Sequence, residues 1–358
     1  MEVSILYFQK NITFLVLILF YHVTLQFVVI IKRGNDRMKN KALLIGGMLI
    51  VAISIAVYVF LQNNEPVDII NEETTYDLYD TNTPARIGAV ELIVEDLARS
   101  VTFYTELIGF DILAEESQKV TLTADGQKPL LVLESVGNSI ERPFGTTGLY
   151  HFAILLPNRA SLADTILHLS EAEYPLQGAS NHQYSDALYL ADPDGNGMEI
   201  YVDLPPETWA QDQDGRYQGG TYAFDLDKTL AEATSIWTGL PEATRIGHMH
   251  LQVAELDKTE QFYVEGLGFD ITSKKDGSLF LSKDRYHHYI GLNTWSGLNL
   301  PAPPENARGL KKFKFFFTQE ELDEAKVQLT RLDFHFEENA DSITVKDPSG
   351  NTIEIIVV

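Results

Sequence analysis

The last three quarters of the chain alternate between two hydrophobic periods. Around 246–253, His248, His250 and Gln252 take every second position and Met249, Leu251 and Val253 fill the positions between, the period of a strand with one buried face. An amphipathic segment over 256–266 follows, with Phe262 and Tyr263 on the side that meets the sheet. Gly268 stands where a helix end favours positive φ. Short strand patterns near 269–272, 278–282 and 289–293 complete a β-α-β-β-β unit.

The pattern repeats. The stretch from Ile87 aligns with that from Ile246 at an offset of 159 without a gap, matching Gly88/Gly247, Phe103/Phe262, Tyr104/Tyr263 and Gly109/Gly268. A second pair, LADPDGNGMEIYV with Asp192 and VKDPSGNTIEIIV with Asp347, matches at an offset of 155. Asp-Pro-x-Gly-Asn is turn chemistry between two strands. Four units follow, A (86–136), B (146–203), A′ (245–295) and B′ (307–358), which the sequence groups into halves at 85–203 and 245–358. Residues 204–244 link them and carry a short helix near 226–234. The predicted class is α+β. One such curved sheet cannot close alone, so the units must pair around shared concave faces.

The N-terminus is different material. Residues 12–31 and 42–61 are apolar runs of twenty, each long enough to cross ~30 Å of hydrocarbon as a helix. Lys32, Arg33, Arg37, Lys39 and Lys41 lie between them and favour the cytoplasmic side. Met38, a basic stretch and then run 42–61 have the form of a signal-anchor, so residues 1–41 read as an upstream extension and 62–84 as a polar stalk. The expectation is a single-pass or two-pass anchor in the cell membrane, with the body on the extracytoplasmic side.

The formal net charge is -24, and the first 64 residues carry six basic and two acidic groups, leaving -28 on the rest. A body so acidic excludes a nucleic-acid partner. The absence of cysteine excludes disulfides, thiolate metal sites and Cys nucleophiles.

Where the repeats differ, chemistry concentrates. A has Ala89 where A′ has His248. B has His151 where B′ has Lys312. Glu199 and Glu354 are equivalent, and A′ alone offers His287 and His288 before its last strand. A lone strand histidine is more often a core residue than a ligand. Two imidazoles and a carboxylate on one face, however, serve a divalent first-row metal. Pairing B with A′ gathers His151, Glu199, His248 and His288. Pairing A′ with B′ gathers His248, His288 and Glu354. Pairing A with B′ leaves Ala89, Lys312 and Glu354. The B–A′ cup is preferred.

The repeated unit, the SVTFYTELIGFDI-type helix and the DPDGN-x-x-E ending resemble the vicinal oxygen chelate superfamily of glyoxalase I, bleomycin resistance proteins and extradiol dioxygenases. GLYHFAILLP, ALYLADPDGNGMEIYVD, IGHMHLQV and YHHYIGLNTW are similar to its bacillar catechol-2,3-dioxygenase-like branch. The resemblance covers about 86–358 and implies two paired modules. It also implies Fe(II), with Mn(II) as the alternative, on His151, His248 and Glu199. His288 would stabilise developing negative charge or deprotonate substrate, Tyr189 would bond a substrate oxygen, and His182 would act as acid–base. His250 shares the face of His248 and lines the substrate pocket, while His287 points away from it. The implied substrates are a small catechol-like aromatic and O2. Extradiol enzymes place the His-first unit before its partner and this chain places it after, so pairing within one chain and exchange within a homodimer both stay open. A glyoxalase-type metal-dependent lyase or isomerase, and a non-catalytic drug-binding protein, are the rival readings.

Overall fold

The computed structural model describes residues 86–234 and 236–358. The strands run in four sets. Unit A gives β1 (Ile87–Val94), β2 (Asp111–Glu115), β3 (Lys119–Thr123) and β4 (Leu131–Ser135). Unit B gives β5 (Gly148–Leu155), β6 (Gly178–Asn181), β7 (Ser185–Ala191) and β8 (Gly197–Asp203). Unit A′ gives β9 (Arg245–Gln252), β10 (Asp270–Lys275), β11 (Ser278–Ser282) and β12 (Ile290–Asn293). Unit B′ gives β13 (Gly309–Phe317), β14 (Phe336–Glu338), β15 (Ser342–Lys346) and β16 (Thr352–Val357). Each unit carries its helix after its first strand.

The units pair crosswise. One eight-stranded sheet has the order β14-β15-β16-β13-β1-β4-β3-β2, joining B′ to A. The other has the order β10-β11-β12-β9-β5-β8-β7-β6, joining A′ to B. Antiparallel seams β1–β13 and β5–β9 close the two sheets. The preferred B–A′ pairing therefore occurs within one chain. Alternate residues of the seam strands split between two environments. Val90, Leu92, Phe152, Ile154, Met249, Leu251, Phe313 and Phe315 enter one continuous buried cluster shared by both sheets. The intervening positions face the concave side of their own sheet.

The helix expected over 256–266 divides. Leu256–Glu260 is α-helical and Gln261–Gly266 widens to a π-helical turn, as does Phe103–Ile108 in unit A. The wide turn lets two successive aromatic residues face inward. Phe262 and Tyr263 are both fully buried and pack edge to face at 4.9 Å, and Phe103 and Tyr104 do the same. Gly109 and Gly268 end these segments with φ of 97° and 71°. Each inward tyrosine then ties one sheet to the other. The Tyr104 hydroxyl donates to buried Asp192 at 2.8 Å, and the Tyr263 hydroxyl donates to buried Asp347 at 3.2 Å. These are the aspartates of the two Asp-Pro-x-Gly-Asn turns.

The expectation of transmembrane helices is corrected, and with it the membrane tether and the extracytoplasmic location. Among the described residues no helix is long and apolar enough to cross a membrane. The longest, Arg159–Glu171 and Gln319–Arg331, have 13 residues each. At 1.5 Å per residue they reach about 20 Å, short of the ~30 Å required. The apolar runs 12–31 and 42–61, the upstream extension and the stalk 62–84 lie outside the described residues.

Candidate metal centre

Four strands of the A′–B sheet bring a row of side chains onto one concave face. Tyr189 on β7 pairs with Glu199 on β8, Glu199 pairs with Ala153 on β5, and Ala153 pairs with His248 on β9. One step along the seam, His151 pairs with His250. Directly paired residues point to the same face, so register alone puts Tyr189, Glu199, His151, His248 and His250 together. Ala153 is the floor between Glu199 and His248, and its methyl leaves the space above it open.

His151, Glu199 and His248 are buried, and one ligand atom of each lies within 4.8 Å of the others. A single carboxylate oxygen, Glu199 Oε2, sits 3.0 Å from His151 Nε2 and 3.3 Å from His248 Nε2. The His151 Nε2 is buried without a hydrogen-bond partner despite that approach. His248 Nε2 is within hydrogen-bond reach of that same oxygen while His151 Nε2 is left without a partner, so three ligand atoms converge on one point and the set fits a divalent ion. Two imidazoles and one carboxylate on one face leave the opposite positions of an octahedral ion open. The protonation states agree. Burial pushes the Glu199 carboxyl up, but the neighbouring His248 and His151 outweigh it and hold the carboxyl well below the usual range. Burial brings His248 down to about 4, against the opposing pull of Glu199. Both groups therefore present lone pairs at neutral pH.

The cluster opens into a cavity of about 650 Å³. His182, Tyr189, His250 and His288 all line it, so the structure brings every residue singled out for chemistry into one space. His182 Nδ1 lies 2.5 Å from the Gly220 carbonyl, which can only accept, so that nitrogen carries the proton. Its Nε2 then accepts from the Tyr189 hydroxyl at 2.6 Å. Burial, then Glu199, push the Tyr189 phenol up, so it stays a donor. His288 stands beside His248 with ring centroids 4.3 Å apart, and burial holds both His288 and His250 well below the ordinary imidazole range. At the mouth, Tyr150, His250 and Trp295 form a three-ring cluster with centroid separations of 5.0–5.3 Å.

Three contributors escape a reading of sequence. The linker supplies Gly220 and Thr221 to the cavity wall. Tyr184, which lines the cavity, stacks on His287 at 4.4 Å. Ala153 matters for being small. Only the last carries a sequence signal, because its repeat equivalent is Lys314.

The A–B′ cup is the internal comparison. Lys312 occupies the register position of His151, Lys314 that of Ala153, and Glu91 that of His250. Lys312 Nζ bonds Glu354 at 2.5 Å and approaches Glu91 at 3.4 Å. An ion-paired cluster thus fills the space that is open in the other cup. Glu354 is an ion-pair partner there.

Residues 86–200 and 245–355 match the Glyoxalase/Bleomycin resistance protein/Dioxygenase superfamily. Over 277 residues the chain is 43% identical to a catechol-2,3-dioxygenase of Bacillus subtilis (strain 168), covering 76% of this chain and 97% of that protein. It is 27% identical to biphenyl-2,3-diol 1,2-dioxygenase 3 of Rhodococcus globerulus, over 46% of this chain and 87% of that protein. Among solved structures, a protein proposed to be a dioxygenase from Bacillus subtilis subsp. subtilis strain 168 superposes with a TM-score of 0.56 at 12% identity. That match covers 77% of this chain and 86% of the other, a likeness of fold.

Proposed function

Since the chain belongs to the Glyoxalase/Bleomycin resistance protein/Dioxygenase superfamily, we propose that it is an extradiol-type ring-cleaving dioxygenase acting on a small catechol-like aromatic. The observation that carries this reading is the convergence of His151, Glu199 and His248 on one point at the wall of the cavity. Two imidazole nitrogens and one carboxylate oxygen match the ligand set of non-haem Fe(II) oxygenases, and Mn(II) suits the same donors. Held there, Fe(II) would supply the one-electron chemistry by which a closed-shell diol reacts with O2.

The chain's own residues do the rest. The rings of Tyr150, His250 and Trp295 grip an aromatic substrate at the mouth and exclude water from it. His288, kept neutral by burial, takes a proton from one substrate hydroxyl. The Tyr189 hydroxyl, now bonded to His182, turns to a substrate oxygen and donates to the charge that develops there. His182 keeps its Nδ1 proton on Gly220 and exchanges a proton at Nε2 with Tyr189 or with substrate. In a glyoxalase-type lyase a second carboxylate would stand where this chain has His288, so the donor set favours the oxygenase.

The test is anaerobic Fe(II) loading of the full chain, then catechol, then O2. A yellow ring-fission product with one O2 consumed per catechol supports the reading. Iron binding without product refutes it, and absence of any bound divalent ion favours the binding protein.

A further inference from the structure

Behind the cavity wall runs a line of polar contacts that the reaction outlined above does not use. His287 is buried completely and does not line the cavity. Its ring lies nearly parallel to Tyr184, 13° between planes, and Trp209 and Tyr286 close around it. Its backbone is pinned as well. The His287 carbonyl accepts from Thr272 Oγ1 at 2.6 Å. The segment is delivered by two consecutive non-glycine residues in the left-handed region, Asp284 (φ 59°) and Arg285 (φ 62°). Such backbone costs energy and persists only where the surroundings over-determine it. The Tyr217 hydroxyl holds the Arg285 carbonyl at 2.6 Å.

Both ring nitrogens of His287 are engaged. Nε2 lies 2.9 Å from Asp203 Oδ1, and Nδ1 lies 2.8 Å from Nδ1 of His288. The carboxylate can only accept, so His287 Nε2 carries a proton. Asp203 also accepts from the Tyr286 hydroxyl at 3.1 and 3.2 Å, and Tyr286 meets the Tyr201 hydroxyl at 2.7 Å. Asp203 thus accepts from two donors, His287 Nε2 and the Tyr286 hydroxyl. A neutral His287 with its proton on Nε2 has a bare Nδ1. The contact between two ring nitrogens needs one hydrogen, and it must come from His288 Nδ1. His288 Nε2 is then bare.

We propose that Asp203 and His287 form a positioning pair that fixes His288 in a single tautomer, protonated on Nδ1 toward His287 and bare on Nε2, as a preset proton acceptor for the cavity. The use of that acceptor rests on the ring-cleaving reading, whereas the tautomer assignment does not. In use, the substrate O–H bond breaks, an N–H bond forms at Nε2, and the oxygen keeps the electron pair. The new imidazolium is backed through His287 by the Asp203 carboxylate, as a carboxylate backs the histidine of a catalytic triad.

The experiment is nitrogen-15 NMR of the full chain labelled in histidine, recorded metal-free and with Zn(II) bound, together with steady-state kinetics of the Fe(II) form. The proposal expects His288 protonated on Nδ1 only and His287 on Nε2 only. Asp203→Asn places a carboxamide N–H opposite His287 Nε2 and inverts both tautomers, leaving His288 with its proton on Nε2. Fe(II) content is then unchanged, KM for catechol moves less than about threefold, and kcat falls on the order of 10²-fold. Asp203→Glu recovers part of that loss. A doubly protonated His287, or a His288 protonated on Nε2 in the unmodified chain, overturns the proposal whether or not the variant folds. So does an Asp203→Asn chain with undiminished kcat. If the expected tautomers are found but the chain cleaves no ring, the positioning pair stands and the oxygenase reading falls.

Discussion

Changing His151 to Lys should convert the metal cup into a copy of the filled one. The chain already shows the result at the equivalent register position, where Lys312 pairs with Glu354 at 2.5 Å and Glu91 at 3.4 Å. Burial lowers the Lys312 ammonium, yet these two carboxylates outweigh it and raise it overall. A lysine at 151 would meet Glu199 but find His250 in place of Glu91. Its site is also drier, the side chain of residue 151 being 8% exposed against 28% for Lys312. One charge-assisted bond returns about 1.5–3 kcal/mol. Desolvating the ammonium costs several kcal/mol. The net expectation is a folded chain weakened by about 1–3 kcal/mol. Metal binding should collapse. A cation held about 4 Å from the ion position opposes each unit of ionic charge by about 4 kcal/mol at an effective dielectric of 20. For a divalent ion that is about 8 kcal/mol, which alone weakens affinity by roughly 10⁶-fold, before the lost imidazole is counted. Urea unfolding gives the first quantity and anaerobic Fe(II) titration the second. A variant that binds Fe(II) within about tenfold of the unmodified chain would refute the assignment of His151.

Acid should weaken the metal-free chain. The folded-state value of His248 is lowered to about 4, and His250 and His288 are also held well below the ordinary imidazole range, chiefly by burial. Unfolding restores ordinary imidazoles, so the unfolded chain binds the protons first. Stability is complete above about pH 6.5 and declines as pH falls toward 4. Melting temperatures of metal-free protein between pH 7.5 and 4.5 should show this decline, and a flat profile would contradict the buried neutral set. Tyr104→Phe removes a 2.8 Å bond to a carboxylate that keeps three other donors, so it should cost about 1.5–2 kcal/mol in urea unfolding. Tyr263→Phe removes a 3.2 Å bond and should cost less, the two adding independently. Neither should alter metal content. Tyr189→Phe should keep bound Fe(II) and lower kcat on the order of 10²-fold, and unchanged kcat would remove Tyr189 from the chemistry.

Much of the site was legible because repetition supplied its own control. Ala89 against His248, and Lys312 against His151, marked positions that the fold does not demand. The Asp-Pro-x-Gly-Asn turns located the last strands, and 278–282 matched its strand at both ends. The pairing of B with A′ followed from asking which combination made a metal site. What escaped were properties of three dimensions. The π-helical turns arise because consecutive aromatics both need burial, and a period of 3.6 cannot express that. His287 points away from the cavity as strand alternation suggests, yet it is buried and bonded, because Asp203 and Tyr184 come from unit B. The apolar N-terminal runs met the length criterion for spanning helices, but that reading finds no spanning helix among the described residues.

The most direct test is X-ray absorption at the iron edge of the full chain loaded anaerobically with Fe(II), compared with Glu199→Gln. The account predicts one Fe(II) per chain bound by two imidazole nitrogens and a carboxylate oxygen, with binding lost in the variant. Iron held without histidine, or held equally well after Glu199→Gln, would contradict it.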